Sequence, residues 1–364
     1  HSLSPLLHKT AFEIMGSGAV YTQLRVEAKD LERFARLMRG TAAPIRYCFG
    51  GGVDPAMLLG VNVTIPHKQR IIPFLDEVTG DAEIAGAVNT VVASPDFRRY
   101  GEGAGDAGDI GAAGGVGTVG AAGENKVKVR EYRLVGHNTD MAGLLMAIRG
   151  CGYDYRDSAV AILGTGGAAL GILCKAVREG ARQVQIFGRS AEKGRAFAAR
   201  AAELADRGAD GRADGRADGR ADGGIDGFAE GRADGFAAAK AAPAVFRNRL
   251  PEAADLETTD IFINATPLGM TGWPDDFEDM DFLGGLPPGA LVYDIVYTPA
   301  ETKLVRAARA RGLYAENGLG MLVWQGLLSD ELFLSKNRED VRSGELYKAV
   351  YAVLSGELRK REEG

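Results

Sequence analysis

The sequence predicts an α/β protein with two domains built on largely parallel sheets. Short runs rich in β-branched residues alternate along the chain with segments of helical periodicity. The chain has 364 residues, which is enough for two cores of ordinary size, and 46% of the residues are hydrophobic. With 43 Lys and Arg against 49 Asp and Glu, the formal charge is −6, which is typical of a folded globular chain.

The composition also excludes several classes of protein. Because the chain lacks a basic cluster, we expect no nucleic-acid partner. Its uncharged apolar runs are too short to span a membrane and no signal peptide opens it, so we expect a cytoplasmic protein without a membrane partner. Three cysteines without a CxxC pair, and four histidines outside any cluster, argue against a disulfide framework and against a metal site.

The hydrophobic pattern and its stop signals predict the individual elements. The predicted strands are Tyr21–Val26, Val61–Ile65, Val88–Val92, Val160–Leu163, Val184–Phe187, Ile261–Asn264 and Leu291–Val296. The predicted helices are Asp30–Gly40, Asp140–Gly150, Gly166–Gly180 and Pro299–Gly312. Ser4 is expected to cap a further helix with Pro5 in its first position and Gly16 after its end, and Asp140 is expected to cap the helix that follows it.

Two glycine-rich segments, 93–131 and 206–236, interrupt this pattern. The second repeats the tetrapeptide Gly-Arg-Ala-Asp, which on a helix would stack carboxylates and place a glycine in every turn. The repeat matches neither a collagen triplet nor a calcium-binding nonapeptide. We interpret both segments as solvated insertions, with an interaction tail as the alternative for the repeat.

The apolar strand at 159–163 leads directly into the sequence GTGGAA, the GxGxxA form of a dinucleotide-binding fingerprint. Gly164 allows the tight turn, Gly166 allows a pyrophosphate to approach the backbone, and Ala169 lets helix and strand pack closely. The fingerprint predicts a Rossmann-type domain. The predicted cofactor-binding residues of this turn are Gly164, Thr165, Gly166, Gly167 and Ala168.

The next strand indicates which dinucleotide binds. An NAD site needs a carboxylate at the end of this strand to accept the ribose 2′-hydroxyl, and none follows Phe187. The residues found there are Gly188, Arg189, Ser190 and Lys193. Their cations and hydroxyl suit a 2′-phosphate, so NADP (NADPH) is the predicted cofactor; a solvated helix start is the alternative for the two cations.

Polar side chains also interrupt the apolar patterns of the N-terminal part. Asn62 and Thr64 fall on one face of a predicted strand, and Lys68 follows the proline that ends it. Asn89 lies in another apolar strand, where its type is disfavoured, and Asp140 opens a helix. Hydroxyl and amide groups at strand ends are the composition expected for a site that binds a polyhydroxylated small acid.

Eight motifs together resemble the shikimate dehydrogenase family. In chain order they are SLSP at 2–5, GVNVTIPHK at 60–68, GAVNTVV at 86–92, GHNTD at 136–140, GTGGAA at 164–169, NATPLGM at 264–270, YDIVY at 293–297 and NGLGMLVWQG at 317–326. They follow the family's order and cover the chain apart from the two insertions.

The resemblance implies an NADP-dependent oxidoreductase acting on a CH–OH group. The implied reaction is the reversible reduction of 3-dehydroshikimate to shikimate in the chorismate and aromatic amino-acid biosynthesis route. The implied domains are an α/β substrate-binding domain at 1–139, a Rossmann-type NADP domain at 140–317, and C-terminal helices at 318–364 that return to the substrate domain.

Functional residues of the family also map onto this sequence. Lys68 is implied as the general acid and base, with Asp140 as its partner. A positioned ammonium can protonate the alkoxide that hydride transfer creates, and a neighbouring carboxylate orients it. The implied substrate-binding residues are Ser2, Ser4, Asn62, Thr64, Lys68, Asn89, Asp140, Tyr297 and Gln325, while Ile295 and Gly318 lie near the nicotinamide.

Three features depart from the family pattern. The strand and turn that normally precede the serine pair are absent, so the sheet lacks its first strand or the sequence is truncated. Gly188 stands where the family has an asparagine before Arg189. The segment 93–131 replaces a short hairpin, a position where loop-closure entropy tolerates long insertions.

Other interpretations stay open at this point. The residues with a simpler interpretation are Ser4 and Asp140 as helix caps, Lys68 as a surface lysine, Tyr297 as a core aromatic and Gln325 on a solvated helix face. For the whole chain the alternatives are a quinate/shikimate dehydrogenase that accepts NAD, a non-catalytic NADP-binding homologue, and a scaffold that acts through its repeats. A homodimer is the assembly considered.

Replacing Arg189 tests the predicted 2′-phosphate contact. Arg189→Ala removes the cation that distinguishes the two dinucleotides, so we expect NADP affinity to fall far more than NAD affinity. Equilibrium binding of both cofactors to wild type and variant measures the difference. Equal losses for NADP and NAD would contradict the assignment.

Overall fold

A computed structural model describes residues 2–39, 58–95, 132–197, 199, 244–334 and 338–363. The predicted insertion at 206–236 lies outside these residues, as does the part 96–131 of the other insertion. Residues 93–95, which the sequence assigned to that insertion, belong to a strand.

The described chain forms two compact units. The small unit comprises Gln23–Ala82 and Val88–His137, and the large unit comprises His1–Thr22, Glu83–Ala87 and Asn138–Gly364. The large unit therefore includes both the N-terminal residues and the C-terminal helices. The domain boundaries implied by the family resemblance stay a prediction.

The small unit contains a four-stranded mixed sheet in the order β1–β3–β4–β2. Its strands are β1 (Gly60–Asn62), β2 (Glu77–Val78), β3 (Thr90–Pro95) and β4 (Tyr132–His137). Strand β3 is antiparallel to β1 and to β4, and β2 is parallel to β4. The expectation of largely parallel sheets is therefore wrong for this unit, because β3 and β4 pair as a hairpin across the long connection at 96–131.

The core of the small unit is formed by side chains from this sheet, from helix α2 (Leu31–Met38) and from neighbouring residues. Helix α3 (Gly80–Ala85) precedes β3. The buried side chains that form the core include Leu31, Met38, Ile71, Val88, Val91 and Leu134.

The large unit contains a six-stranded sheet that is parallel throughout, in the order β7–β6–β5–β8–β9–β10. Its strands are β5 (Ala159–Leu163), β6 (Gln183–Phe187), β7 (Ala244–Arg247), β8 (Ile261–Asn264), β9 (Leu291–Asp294) and β10 (Tyr314–Glu316). This is the doubly wound order of dinucleotide-binding folds, so the predicted Rossmann-type arrangement is confirmed. Strand β5 is buried at every position, which explains its uninterrupted apolar sequence.

The helices of the large unit cover this sheet and pack on one another. Among the described residues they include α1 (Ser4–Ile14), α4 (Thr139–Gly150), α5 (Gly167–Arg178), α6 (Lys303–Ala310), α7 (Leu319–Leu334), α8 (Arg338–Val341) and α9 (Gly344–Glu363), and residues 191–197 are also helical. Leu7 of α1, Ile148 of α4, Leu327 of α7 and Leu354 of α9 are each fully buried in one shared core. None of the described helices is both long and apolar enough to cross a membrane.

Two strand predictions need correction. Residues 17–27 form no strand, so the expected strand Tyr21–Val26 is wrong. The residues at 22–25 are exposed, and the ring of Tyr21 stacks on His8 instead of joining a sheet face. Strand β1 ends at Asn62, earlier than expected, because the chain turns before Pro66.

The helix-cap predictions have mixed outcomes. Helix α1 has no side-chain cap from Ser4; instead the Ser2 hydroxyl oxygen accepts a hydrogen bond from the Ser4 N–H at 3.1 Å. Gly16 follows the helix end with a φ of 63°, as predicted. Asn138 rather than Asp140 caps α4, because its side-chain oxygen accepts a hydrogen bond from the Asp140 N–H at 3.1 Å.

Gly143 lies where α4 packs closely on α7, so its substitution by alanine is expected to lower stability. A Cβ at 143 would lie 2.7 Å from the backbone nitrogen of Gln325 on α7, so Gly143→Ala must push two helices apart. We expect a loss of roughly 1–3 kcal/mol in the free energy of unfolding, measured by urea denaturation.

Gly150→Ala is the matched control. Gly150 lies on the same helix, and a Cβ there would have no other atom within 4 Å, so alanine should be neutral or stabilise by up to about 1 kcal/mol. Equal effects of the two substitutions would contradict the close approach of α4 and α7.

Candidate active site

The glycine turn after β5 has the geometry of a dinucleotide site. Gly164 has a φ of 130°, and its N–H donates to the carbonyl oxygen of Phe187 at 2.8 Å. A Cβ at this position would lie 2.9 Å from the carbonyl oxygen of Ala265, so only glycine fits without displacing the end of β8.

The N-terminus of α5 leaves open space for an anion. Gly166 and Gly167 are exposed, and a Cβ at either position would have no atom within 4 Å. Ala169 is fully buried against the sheet, as its place in the fingerprint predicts. An open backbone at a helix N-terminus fits the pyrophosphate of a dinucleotide, because the helix dipole and free N–H groups attract negative charge.

Gly188 is explained by its neighbour Thr165. A Cβ at 188 would lie 2.5 Å from the Thr165 methyl carbon, so the threonine side chain occupies the space that a larger residue at 188 needs. The absence of a side chain at 188 leaves this space to the Thr165 methyl group. A side chain cannot be restored at 188 without making Thr165 smaller or moving it.

Arg189 and Lys193 are both exposed just after the end of β6. Ser190 instead has a structural contact, since its hydroxyl oxygen accepts from the Lys193 N–H at 3.3 Å and caps the helical residues 191–197. Gly194, in that helix, approaches the ring of Phe246 so closely that a Cβ would overlap it. The two cations thus begin a helix that is packed firmly on β7.

A buried polar network joins the ends of β8 and β9. Asn264 donates from Nδ2 to Asp294 Oδ1 at 2.9 Å, and its own oxygen accepts from Thr266. Asp294 accepts two further bonds, from the Val296 N–H and from the Thr302 hydroxyl. Since both Asn264 and Asp294 are fully buried, these bonds hold the two strand ends together beside the cofactor turn.

Ile295 and Gly318 meet at the same edge of the sheet. The Gly318 N–H donates to the Val296 carbonyl at 3.1 Å, and a Cβ at 318 would lie 2.0 Å from the Ile295 carbonyl oxygen. Gly318 is thus required for backbone packing, a reason that its place in the motif did not reveal. Tyr297 follows directly and is half-buried, and this burial raises the pKa of its hydroxyl.

In the small unit, three predicted substrate-binding residues are linked. Asn62 donates from Nδ2 to the Thr90 hydroxyl at 3.2 Å, and Thr90 donates to Asn89 Oδ1 at 3.0 Å. The Lys68 carbonyl oxygen accepts a hydrogen bond from the Val88 N–H at 2.8 Å. This bond holds the backbone of Lys68 beside the residue that precedes Asn89. Asn62, Lys68 and Asn89 are therefore fixed on one framework.

Thr64 and two histidines lie near these residues in the small unit. Thr64 is exposed and lies beyond the end of β1, so the alternation that put it on one strand face with Asn62 does not apply. His67 Nε2 is 2.8 Å from the Val26 carbonyl oxygen and anchors the loop that carries Lys68. Burial lowers the pKa of His137 to about 4, so its imidazole is neutral near pH 7.

In the large unit, the helices that carry Ser4, Asp140 and Gln325 pack on one another. The hydroxyls of Thr139 on α4 and Ser329 on α7 are 3.3 Å apart, and α4 touches α7 again at Gly143. The Gln325 amide donates to the Leu322 carbonyl at 2.9 Å and is half-buried, so it does not lie on a fully solvated face. Asn138 was not singled out from the sequence, although it is buried, caps α4 and donates to the Ala87 carbonyl.

Lys68 lies in the small unit and Asp140 in the large unit, so their catalytic pairing stays a prediction. The described residues hold no group of three His, Cys, Asp or Glu side chains suited to a metal ion.

Comparison with known proteins gives the family. A model described as "Shikimate dehydrogenase substrate binding domain" matches residues 49–91. A relative from Citrifermentans bemidjiense named shikimate dehydrogenase (NADP(+)) is 32% identical over 327 residues, covering 90% of this chain and 83% of the relative.

The chain belongs to the shikimate dehydrogenase family.

Two further matches extend over nearly the whole chain. A shikimate dehydrogenase (NADP(+)) from Streptococcus mutans is 29% identical and covers 96% of this chain and 91% of its own length. The crystal structure of shikimate 5-dehydrogenase from Listeria monocytogenes, in complex with shikimate and NAD, is 25% identical with a TM-score of 0.63, over 97% of this chain and 92% of that chain. The family resemblance stated from the eight motifs is therefore confirmed.

The ionisation of Asp294 predicts a pH dependence of folding stability. Burial raises the pKa of this carboxyl from 3.8 to about 6, so the folded protein keeps a proton that the unfolded chain releases. The stability that this proton confers is complete below about pH 4 and is lost as the pH rises through about 6. We expect the difference in unfolding free energy between wild type and Asp294→Asn to fall by roughly 1–3 kcal/mol over that window.

Urea denaturation of both proteins at several pH values measures this difference. Asparagine resembles the protonated carboxyl in shape and charge. Below about pH 4, the unfolding free energies of the two proteins should therefore change with pH in the same way. A difference that stays constant from about pH 4 to about pH 7 would contradict the raised pKa.

Proposed function

We propose that this protein is an NADP-dependent shikimate dehydrogenase, which reversibly reduces 3-dehydroshikimate to shikimate. The observation that carries the proposal is the open glycine turn at the end of β5, with Arg189 exposed beside it, in a chain that matches relatives of that name over nine-tenths of its length. Such an enzyme is an oxidoreductase acting on a CH–OH group in the route to chorismate and aromatic amino acids.

The cofactor is expected to lie across the carboxyl ends of the parallel strands. Gly164–Ala168 would hold the pyrophosphate, and Arg189 and Lys193 the 2′-phosphate. Ile295 and Gly318 would border the nicotinamide, since Ile295 follows β9 and Gly318, which follows β10, packs against it. Bound NADPH supplies the hydride for reduction of the ketone.

Lys68 would move the proton. As the ketone becomes an alcohol, the Lys68 ammonium donates a proton to the forming alkoxide oxygen, and the neutral amine takes it back in the reverse direction. Asp140 would orient the ammonium and favour its charged form. Support comes from the fixed backbone at both residues, since Lys68 is tied to Val88 and Asp140 to the cap Asn138.

The remaining predicted residues would bind the substrate. The hydroxyls of Ser2 and Ser4 would donate to the substrate carboxylate, and Tyr297 would border the pocket. The groups proposed for the ring hydroxyls are those of Asn62, Thr64, Asn89, Asp140 and Gln325. Burial of Asn89, with its oxygen already accepting from Thr90, favours a defined orientation of its amide.

The alternatives are weaker on these observations. A quinate/shikimate dehydrogenase that accepts NAD would want an acid after Phe187, where Gly188 and Arg189 stand. A non-catalytic homologue would have no need of Lys68 and Asp140. We also propose that the protein works in the cytoplasm. A homodimer is the proposed assembly, and light scattering after gel filtration would test it.

The decisive experiment compares initial rates for shikimate and quinate, each with NADP and with NAD. Fast turnover with shikimate and NADP only is the expected result. Comparable rates with quinate or NAD would favour the wider-range enzyme. Silence in all four assays from protein shown to be folded would favour the non-catalytic homologue.

Lys68→Ala tests the proposed mechanism. Loss of the general acid and base should lower kcat by on the order of 10²–10⁴, with NADP binding retained. Arg70→Ala is the matched control, since it removes an exposed cation two residues away and should leave kcat within about twofold. A Lys68→Ala enzyme with near-wild-type kcat would rule out the mechanism.

A further inference from the structure

His8 and Asp330 form a buried pair that the proposed chemistry does not use. His8 lies on α1 and Asp330 on α7, and the atoms His8 Nδ1 and Asp330 Oδ1 are 2.6 Å apart. Their side chains are only 1% and 0% exposed. The short separation shows a direct hydrogen bond between the imidazole and the carboxyl group.

The surroundings of the pair are apolar or aromatic. The ring of Tyr21 stacks on His8 at a centroid distance of 4.0 Å, and Phe12 packs at its side. Within the described residues, Asp330 Oδ2 has no hydrogen-bond partner. Burial raises the pKa of the Asp330 carboxyl and the nearby His8 opposes that shift, while burial and Asp330 together raise the pKa of Tyr21 to about 12.

Such a pair is costly for folding. The free-energy cost of removing two polar groups from water offsets much of the energy gained from their attraction. Two well-packed apolar side chains in the same place would often stabilise the fold at least as much. A buried pair with one unsatisfied oxygen therefore calls for a reason other than stability. A directional hydrogen bond can set the rotation and register of one helix on another, which apolar contacts alone leave adjustable.

The position of the pair gives that reason. His8 is one helical turn after Ser4 on α1, so the two residues share a face of that helix. One turn before Asp330 on α7 lies Gly326, next to Gln325, and a Cβ at 326 would lie 2.5 Å from a methyl carbon of Leu7. Ser4 on α1 therefore lies one turn from the pair, and Gln325, which contacts Gly143 of α4, lies one residue from the α1 contact at Gly326.

Helix α1 packs on α7 and also contacts α9. It has 11 residues, too few to be stable alone in water, and its buried side chains Leu7, His8 and Ala11 all face the core. Any rotation or slide of α1 moves Ser2 and Ser4 relative to Gln325. The bond between His8 and Asp330 is a polar contact that opposes such movement.

We propose that His8 and Asp330 are positioning residues for substrate binding, which hold α1 in register on α7 so that Ser2, Ser4 and Gln325 meet the substrate together. This inference rests on the proposed function. It assigns no contact with substrate to either residue. Their effect is on affinity for the acid substrate and not on the cofactor.

The test uses variants of the full chain and steady-state kinetics. His8→Leu/Asp330→Leu removes the pair without leaving an unpaired buried charge. We expect the KM for shikimate to rise about tenfold or more, while the KM for NADP stays within about twofold and kcat changes less than KM. Asp330→Asn keeps an oxygen that accepts from His8, so its KM for shikimate should stay within about threefold of wild type.

Glu331→Gln is the matched control. Glu331 is the next residue on α7, is also buried, and pairs through both carboxylate oxygens with Arg342, at 2.7 and 3.1 Å. It should leave the KM for shikimate unchanged. A rise in that variant equal to the rise in the double variant would overturn the inference, because any damage to α7 would then suffice.

Two further outcomes are decisive. A folded double variant with a wild-type KM for shikimate, or with equal rises in both KM values, would overturn the positioning role while the wild-type rate upholds the proposed function. Absence of shikimate turnover in the wild type would overturn both. If the double variant fails to fold, His8→Asn, whose amide N–H falls near the position of Nδ1, is compared with His8→Gln, whose amide does not; equal KM values for these two would overturn the inference.

Discussion

Helix α7 contacts its neighbours so closely that glycine is required at several of the contacts. Gly143 on α4 faces the backbone of Gln325, and Gly326 on α7 itself faces Leu7 of α1. These short separations let α1 and α4 pack directly on α7. A single added methyl group at such a point must move a helix, because protein interiors are packed without spare volume.

The same economy governs the edge of the parallel sheet. Gly164 lies against Ala265, so the connections after β5 and β8 touch, and Gly318 lies against Ile295, so the connections after β10 and β9 touch as well. Polar side chains then secure the strand ends, as the bonds of Asn264 and Asp294 show. Because these groups are buried, each must be bonded internally, and the resulting network is rigid where a cofactor would need a fixed surface.

Local departures from the family pattern become intelligible in this context. The glycine at 188 looks like a lost cofactor contact when the motif is considered alone. The structure shows that Thr165, two positions into the glycine turn, has taken up the space beside it. Thr165 and a side chain at 188 would occupy the same space, so the two positions must be considered together. Asp330 is a comparable case, since its acidic side chain inside an apolar helix makes sense only opposite His8.

The amino-acid sequence by itself determined the fold class, the glycine turn, the preference for NADP and the family, because these depend on local periodicity and on short contiguous motifs. It placed the helix end at Gly16 correctly for the same reason, since a helix C-terminus is a local event. The strand predicted at Tyr21–Val26 was wrong, because Tyr21 stacks on His8 and does not join a sheet. The cap predicted at Asp140 was also wrong, because Asn138 caps that helix. Only the tertiary structure decided the His8–Asp330 pair, the fit of Thr165 beside Gly188 and the packing reason for Gly318. These contacts join residues far apart in the chain, and no local pattern records a distance between them.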